Sequence, residues 1–219
     1  MRNTPESIRA SYDRIAAAYA CHYANELVHK PLDRQLLNRF ADEVRGRADV
    51  CDIGCGPGHI ARYLRDSGMI NAFGLDLSPG MVEQARELHP DIKFQVGNMM
   101  ALDLRDESLA GIVAFYAIVN IPEDLLPTVF GEMWRVLQLG GRLLLSFHIG
   151  DEVVQPEELL GQPISMDFFF FQPAVIRNQM EAAGFVVEDV VERPPYAPDV
   201  EYQSRRAYVF ARKVRRKRT

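Results

Sequence analysis

A chain of 219 residues, 47% apolar and 25% charged, can bury one sizeable core, so a single domain is the expectation. The formal charge of −5 argues against general nucleic-acid binding, and no apolar stretch approaches the ~20 residues of a membrane span. Cys21, Cys51 and Cys55 are odd in number and lack CxxC spacing or a nearby histidine cluster, which speaks against a disulfide scaffold or a zinc site and fits a reduced cytoplasmic protein.

The N-terminal "MRNTPESIRASYDR" is too polar for a signal peptide. A first amphipathic helix opens with Thr4 as cap and Pro5 at its start, and carries Ile8, Tyr12, Ile15 and Tyr19 at helical spacing. A second helix is expected over Pro31 to Val44. "ADVCDIG" reads as a buried strand ending in glycines, and "HIARYLRDSG" as a helix stopped by Gly68. "NAFGLDLS" is a strand. Ser78 caps the next helix, with Pro79 at its start and Pro90 beyond its end. "IKFQVG" follows as a strand and "LAGIVAFYAIV" as a strand running into a loop. "PEDLLPTVFGEMWRVLQLGG" is expected to be a helix closed by Gly140, and "GRLLLSFHI" a fifth strand.

This alternation predicts an α/β fold: a doubly wound, mostly parallel sheet with helices on both faces. After His148 the rhythm changes. "GDEVVQPEELLGQPISMDFFFFQ" reads as an irregular insertion and "PAVIRNQMEAAGF" as a helix ended by Gly184. "FVVEDVVERPPY" and "SRRAYVFARK" form an antiparallel pair. The expected organisation is a helical lid over 1–45, a core over 46–148, a lid insertion over 149–172, a closing helix and hairpin over 173–212, and a basic tail over 213–219. Five of the tail's seven residues are Lys or Arg, without which the charge falls from −5 to −10. Such a tail either contacts an anionic partner or is a solvated, frayed end.

"VCDIGCGPGHIARYL" places Gly54, Gly56 and Gly58 between a buried strand and a helix. Three alternating glycines there favour a ligand lying on bare backbone over a ligand-free turn. The spacing G-x-G-x-G differs from the dinucleotide fingerprint G-x-G-x-x-G, and Pro57 offers no N–H to a phosphate. Asp76, ending the second strand 22 positions after Gly54, can accept two hydrogen bonds from a ribose diol.

"DIGCGPG" followed by "GLDLSPGMVEQAR" resembles the class I S-adenosylmethionine-dependent methyltransferases over roughly residues 40 to 212. That resemblance implies a seven-stranded sheet with an antiparallel last strand and S-adenosyl-L-methionine as cofactor. Gly54, Cys55 and Gly56 would face the methionine part, Asp52 its amino group, Asp76 the ribose, and Leu77 and Met81 the adenine. Asn98 stands where the family usually has an aspartate that accepts from the adenine amino group. Met99 would offer backbone, and Phe115 and Tyr116 would line cofactor and acceptor. Gly111 stands where the family often has Asp. Tyr12 and Tyr19 resemble lid tyrosines lying over the cofactor, with plain helix packing as the alternative; His22 and Tyr23 are weaker candidates of the same kind.

Methyl transfer from a sulfonium needs alignment and exclusion of water, and a base only where the acceptor must lose a proton. His148, at the end of the fifth strand, is the expected base, with Tyr19 the second catalytic candidate; the alternative for His148 is a hydrogen-bonded structural role. Phe168 to Phe171 alternate in direction, so one face could line an apolar pocket, or they fill the core and an interface. Arg193, Tyr196, Glu201 and Arg205 could bind a polar acceptor or form solvated ion pairs. "AFYAIVNIPED" lacks the Pro-Pro motif of base methyltransferases. The expected partner is therefore a small-molecule acceptor, with neither membrane nor nucleic acid, and a homodimer is the candidate assembly. Methylation of a protein or nucleic acid, a non-catalytic cofactor-binding module and an NAD-dependent dehydrogenase are the rival readings.

Overall fold

The computed structural model describes residues 3–69 and 71–215. Helix α1 (Pro5–Tyr23) starts at a capping box: the Thr4 hydroxyl accepts from the Ser7 N–H while the Ser7 hydroxyl accepts from the Thr4 N–H. A short 3-10 turn (Glu26–His29) leads into α2 (Pro31–Val44). Then β1 (Asp49–Ile53), α3 (His59–Asp66), β2 (Ala72–Asp76), α4 (Pro79–Leu88), β3 (Phe94–Val96) and β4 (Leu109–Phe115) alternate as their apolar runs and caps predict. After them come α5 (Leu126–Val136), β5 (Leu137–His148), α6 (Pro173–Ala183), β10 (Phe185–Arg193) and β11 (Arg206–Lys213).

The main sheet has seven strands in the order β10-β11-β5-β4-β1-β2-β3. β1 pairs parallel with β2 and β4, β2 with β3, and β4 with β5; β11 runs antiparallel between β10 and β5. This is the expected mostly parallel sheet with one reversed strand. Its C-terminal edge carries the loops after β1, β2, β4 and β5, where ligands of open α/β sheets sit. Apolar clusters cover both faces. One centres on α5 and α6 with Phe130, Met133, Phe147 and Ile176, the other on α2 with Leu37 and Phe40. Gly111 belongs to that second contact: a Cβ there would fall 2.6 Å from the Phe40 ring.

Three expectations are corrected. Helix α5 ends at Val136, four residues before Gly140, because Leu137 turns to extended backbone (φ −70, ψ 140) and pairs with Leu109 of β4. The register then shifts, and the segment with Gly140 (φ +76) bulges out before pairing resumes between Gly111 and Arg142. The insertion after His148 is ordered into two antiparallel pairs, β6 (Val153–Val154) with β9 (Phe168–Phe169) and β7 (Glu158–Leu159) with β8 (Gln162–Pro163). Lys213, assigned to the tail, instead closes β11: its Nζ donates to the Leu137 carbonyl at 2.7 Å and lies 4.0 Å over the Trp134 ring. Residues 216–219 of that tail lie outside the described residues.

Candidate active site

A cavity of about 460 Å³ opens along the C-terminal edge of the sheet. Its two halves follow the strand order. Over β1, β2 and β3 it is lined by Asp52, Gly54, Gly56, Asp76, Leu77 and Asn98; over β4, β5 and β11 by Tyr116, His148 and Arg206.

The glycine turn explains itself physically. Gly54 has φ +70 and Gly56 φ +51, values that favour glycine. A Cβ on Gly54 would fall 2.7 Å from the Ala117 Cβ, whereas one on Gly56 would meet only the Tyr19 ring edge at 3.7 Å. The Gly56 N–H donates to Asp76 Oδ2 at 2.8 Å, and the Ser78 N–H to Oδ1 at 2.9 Å. Those bonds hold the carboxylate at the cavity wall with lone pairs to spare. Burial raises the Asp76 pKa, against the two N–H groups that lower it. Asp52 is 2% exposed and its Oδ2 accepts from the Ala61 N–H at 3.1 Å. Burial pushes it up to about 7, with Asp76 adding to the rise and His59 and the Ala61 N–H opposing it.

Leu77 and Met81 pack with Tyr12 and Tyr19 of α1, forming an apolar slot beside Asp76. Cys55 is buried next to the turn, and Met99 reaches to 3.9 Å from the Gly54 position. Asn98 lines the cavity, but its Oδ1 already accepts from the Met100 N–H at 2.9 Å, so only one lone pair is left for a ligand. These residues fit an adenosyl zwitterion: two carboxylates with free lone pairs, a backbone shelf without side chains, and an apolar slot for a base.

Tyr116 sits in the left-handed region (φ 53, ψ 21), a conformation costing about 1–2 kcal/mol in a non-glycine residue. Ser146 pins it there, its carbonyl and hydroxyl both accepting from the Tyr116 N–H. The turn carries the ring out of the strand line into the cavity, beside Phe115.

Helix α1 is fastened over this site. Asp13 Oδ1 accepts from the Ser78 hydroxyl at 2.6 Å and the Gly80 N–H at 2.9 Å, capping α4 from another helix. Tyr12 donates to Asn120 Oδ1 at 2.8 Å, and Asn3 ties Asn120 to Asp167 of the insertion. Asp13→Ala is expected to lower stability by about 1–3 kcal/mol, since a capping carboxylate is lost and the buried Ser78 hydroxyl loses its acceptor. A urea titration reads this directly, and an unchanged midpoint would remove Asp13 as a fastener.

His148 departs from its expected role. Arg206 Nη1 lies 3.0 Å from its Nδ1 and the Ser204 hydroxyl 2.7 Å away, while the Phe170 ring stacks on it at 4.8 Å. Burial and the Arg206 cation hold its pKa at about 3, so it is not a base titrating near neutrality. Tyr19 lines the cavity over Gly56, and burial raises its hydroxyl pKa far above the ordinary value, so it is no proton acceptor either. Tyr23 lines the same space; His22 is exposed.

The reading of Arg193 and Glu201 as a solvated pair is also corrected. Both are buried: Glu201 takes two bonds from the Arg193 guanidinium, which also contacts Asp33, and accepts from the Tyr196 N–H. Arg205 alone is surface-exposed, pairing with Glu192 at 2.7 Å. Phe168 and Phe170 line the cavity while Phe169 and Phe171 pack into the core, as strand alternation dictates. Sequence reasoning missed Glu26, Lys30, His59 and Arg206. The inward alternation of Arg206 and Tyr208 in β11 was a usable signal; Lys30 beside Pro31 at a helix start carried none.

Residues 50–141 match a family model described as a methyltransferase domain. Among curated relatives, the chain is 37% identical over 92 residues to a malonyl-[acyl-carrier protein] O-methyltransferase of Pectobacterium atrosepticum, covering 42% of this chain and 35% of that protein. It is 27% identical over 146 residues to a demethylmenaquinone methyltransferase of Beutenbergia cavernae, covering 65% and 58% respectively. The chain thus spans about a third to three fifths of these relatives' lengths. Among solved structures, an S-adenosylmethionine-dependent methyltransferase from Methanosarcina mazei superposes with a TM-score of 0.70 at 15% identity, covering 79% of this chain and 95% of that one. The [4+2]-cyclase SpnF superposes at 0.74 with 18% identity, covering 97% of both chains. The family model, over less than half of the chain, is a methyltransferase domain, and the fold is the one seen in solved S-adenosylmethionine-dependent methyltransferases.

Proposed function

We propose that this chain transfers a methyl group from S-adenosylmethionine to a small-molecule acceptor. One observation carries the reading: a single cavity joins a glycine shelf and two carboxylates over β1 and β2 to an aromatic and polar chamber over β4, β5 and β11. Asp76 would hold the ribose hydroxyls, Asp52 the ammonium, and the Gly54–Gly56 backbone the methionine part, with Leu77 and Met81 against the adenine. When bound, the cofactor supplies a methyl on a cationic sulfur, which departs as a neutral thioether. The protein's task is then to orient the acceptor and keep water out, and α1 with the 149–172 insertion would do so.

The names of the curated relatives support a small-molecule or carrier-bound acceptor. An enclosed chamber under a latched lid suits such an acceptor better than a duplex or a folded protein. We take the enzyme to act in the cytoplasm, in keeping with its cysteines; no described helix is long and apolar enough to cross a membrane. Because the same fold also carries a cyclase, the test must read the product. Calorimetry should show S-adenosylmethionine and S-adenosylhomocysteine binding and NAD not binding. A metabolite library should then yield acceptor-dependent S-adenosylhomocysteine. Cofactor binding with no turnover across the library would favour a non-catalytic module instead.

A further inference from the structure

The chamber over β4, β5 and β11 holds polar groups that the glycine shelf and its carboxylates do not engage. Its carboxylates are already satisfied. Glu201 is taken by Arg193 and the Tyr196 N–H; Glu26 accepts from Lys30 at 2.5 Å and pairs with His59 at 2.9 Å. The donors are not satisfied. Lys30 is 3% exposed, lines the cavity, and has Glu26 as its one hydrogen-bond acceptor among the described residues; Glu201 Oε2 forms an ion pair with it at 3.6 Å, too far for a hydrogen bond. Two of its three N–H groups therefore have no hydrogen-bond acceptor among the described residues.

His148 is the second donor. Nδ1 faces the Arg206 Nη1 donor and the Ser204 hydroxyl, which favours the tautomer with the ring proton on Nε2, for which no described residue provides an acceptor. Both donors sit beside Tyr116, with the Lys30 Nζ 5.7 Å from its ring centre and the His148 ring centre 5.2 Å away. The Arg206 guanidinium lies 5.5 Å from the same ring. Two cations against one ring disfavour a cationic acceptor, and a buried ammonium and a half-buried imidazole facing the cavity with N–H groups to spare call for a group that only accepts.

Resting on the methyl-transfer reading, we propose that the acceptor is a carboxylic acid with an apolar or aromatic body, its carboxylate held by Lys30 and His148 and methylated on oxygen. The phenyl-lined wall of Phe168, Phe170 and Tyr202 takes the body. One carboxylate oxygen forms a bond to the methyl carbon as the carbon–sulfur bond breaks, and that electron pair leaves on sulfur. The sulfonium becomes a neutral thioether and the carboxylate a neutral ester; no proton moves. This matches a chamber without a base. Burial raises Glu26 and Glu201, but His59 with Lys30 and Arg193 with the Tyr196 N–H outweigh it and hold each at about 2. A carboxylic acid is already ionised at neutral pH, whereas a phenol or alcohol would need its proton removed. Ester formation also cancels the charge the donors bind, which favours release.

The test is equilibrium binding of 3-phenylpropanoate, its amide and its alcohol to the full chain saturated with S-adenosylhomocysteine. The carboxylate should bind about tenfold or more tightly than either neutral analogue, as a charge-assisted pair demands. Lys30→Met should erase that preference and leave S-adenosylhomocysteine affinity unchanged, while Arg205→Gln at the surface should keep it. If Lys30→Met does not fold, His148→Phe is the second variant and should reduce the preference, with His148→Gln restoring it through its retained donor. Equal binding of the three probes, binding of none, or a preference that survives these variants overturns the proposal. Failure of S-adenosylhomocysteine itself to bind would instead overturn the methyl-transfer reading and this inference with it.

Discussion

Asp76→Ala is expected to weaken S-adenosylhomocysteine binding by roughly a hundredfold, the equivalent of about 3 kcal/mol. A ribose diol can donate two hydrogen bonds to one carboxylate, and each bond to a charged partner contributes about 1.5–3 kcal/mol. The Asp76 carboxylate is oriented in advance by the Gly56 and Ser78 N–H groups, so binding needs little reorganisation. The same bonds mean that alanine leaves two N–H donors without their acceptor and loosens the glycine turn, adding to the loss. Asp76→Asn keeps one acceptor oxygen and the shape, and should cost about tenfold. A urea midpoint measured beside each affinity separates unfolding from lost contact. Wild-type affinity in a folded Asp76→Ala protein would remove Asp76 from the site.

What the sequence discloses is what short-range physics decides. The glycines after β1, the Ser78 cap and the Gly68 and Gly184 stops act within a few residues, and each element they bound is found where expected. Pairing decides the rest. Leu137 leaves α5 because β4 offers it a partner, and nothing in "WRVLQLGG" announces that bond. The same holds in the site. Asp52 and Asp76 are legible because strand ends and glycines place them. The chemistry of His148 is not, because Arg206 arrives from β11 and suppresses its basicity. Lys30 acquires its surroundings from Glu201, far away in sequence, and a lysine before a proline says nothing of that. Arg193 and Glu201 read as surface charges because the stretch around them, "ERPPYAPDVEYQSRR", does not show what packs on it. Burial is set by Asp33 of α2 and Tyr208 of β11 packing over them.

Affinity for S-adenosylhomocysteine, which keeps the cationic ammonium, should fall as pH drops below 7, and the cause is Asp52. In the unliganded protein burial holds this carboxyl at about 7, so it is about half protonated at neutral pH. An ammonium pairs with the ionised form only. Binding at pH 8 finds nearly every molecule competent, whereas at pH 5 about one in a hundred is, a loss of roughly a hundredfold in apparent affinity. The sign for folding is opposite. The folded pKa lies above the unfolded value of 3.8, so this group's contribution to stability is fully present below about 4 and is lost as pH rises through about 7. The ligand, by pairing with the carboxylate, restores what ionisation removes, so its stabilising effect should grow with pH. Asp52→Asn cannot ionise; its affinity should be low at pH 8 and nearly flat down to pH 5, apart from ligand titration. Calorimetry in buffers of different ionisation enthalpy should show about half a proton released on binding at pH 7 by the wild type and none by the variant. A wild-type affinity that stays constant from pH 8 to pH 5 while the protein remains folded would mean that the ammonium is not held by this carboxylate.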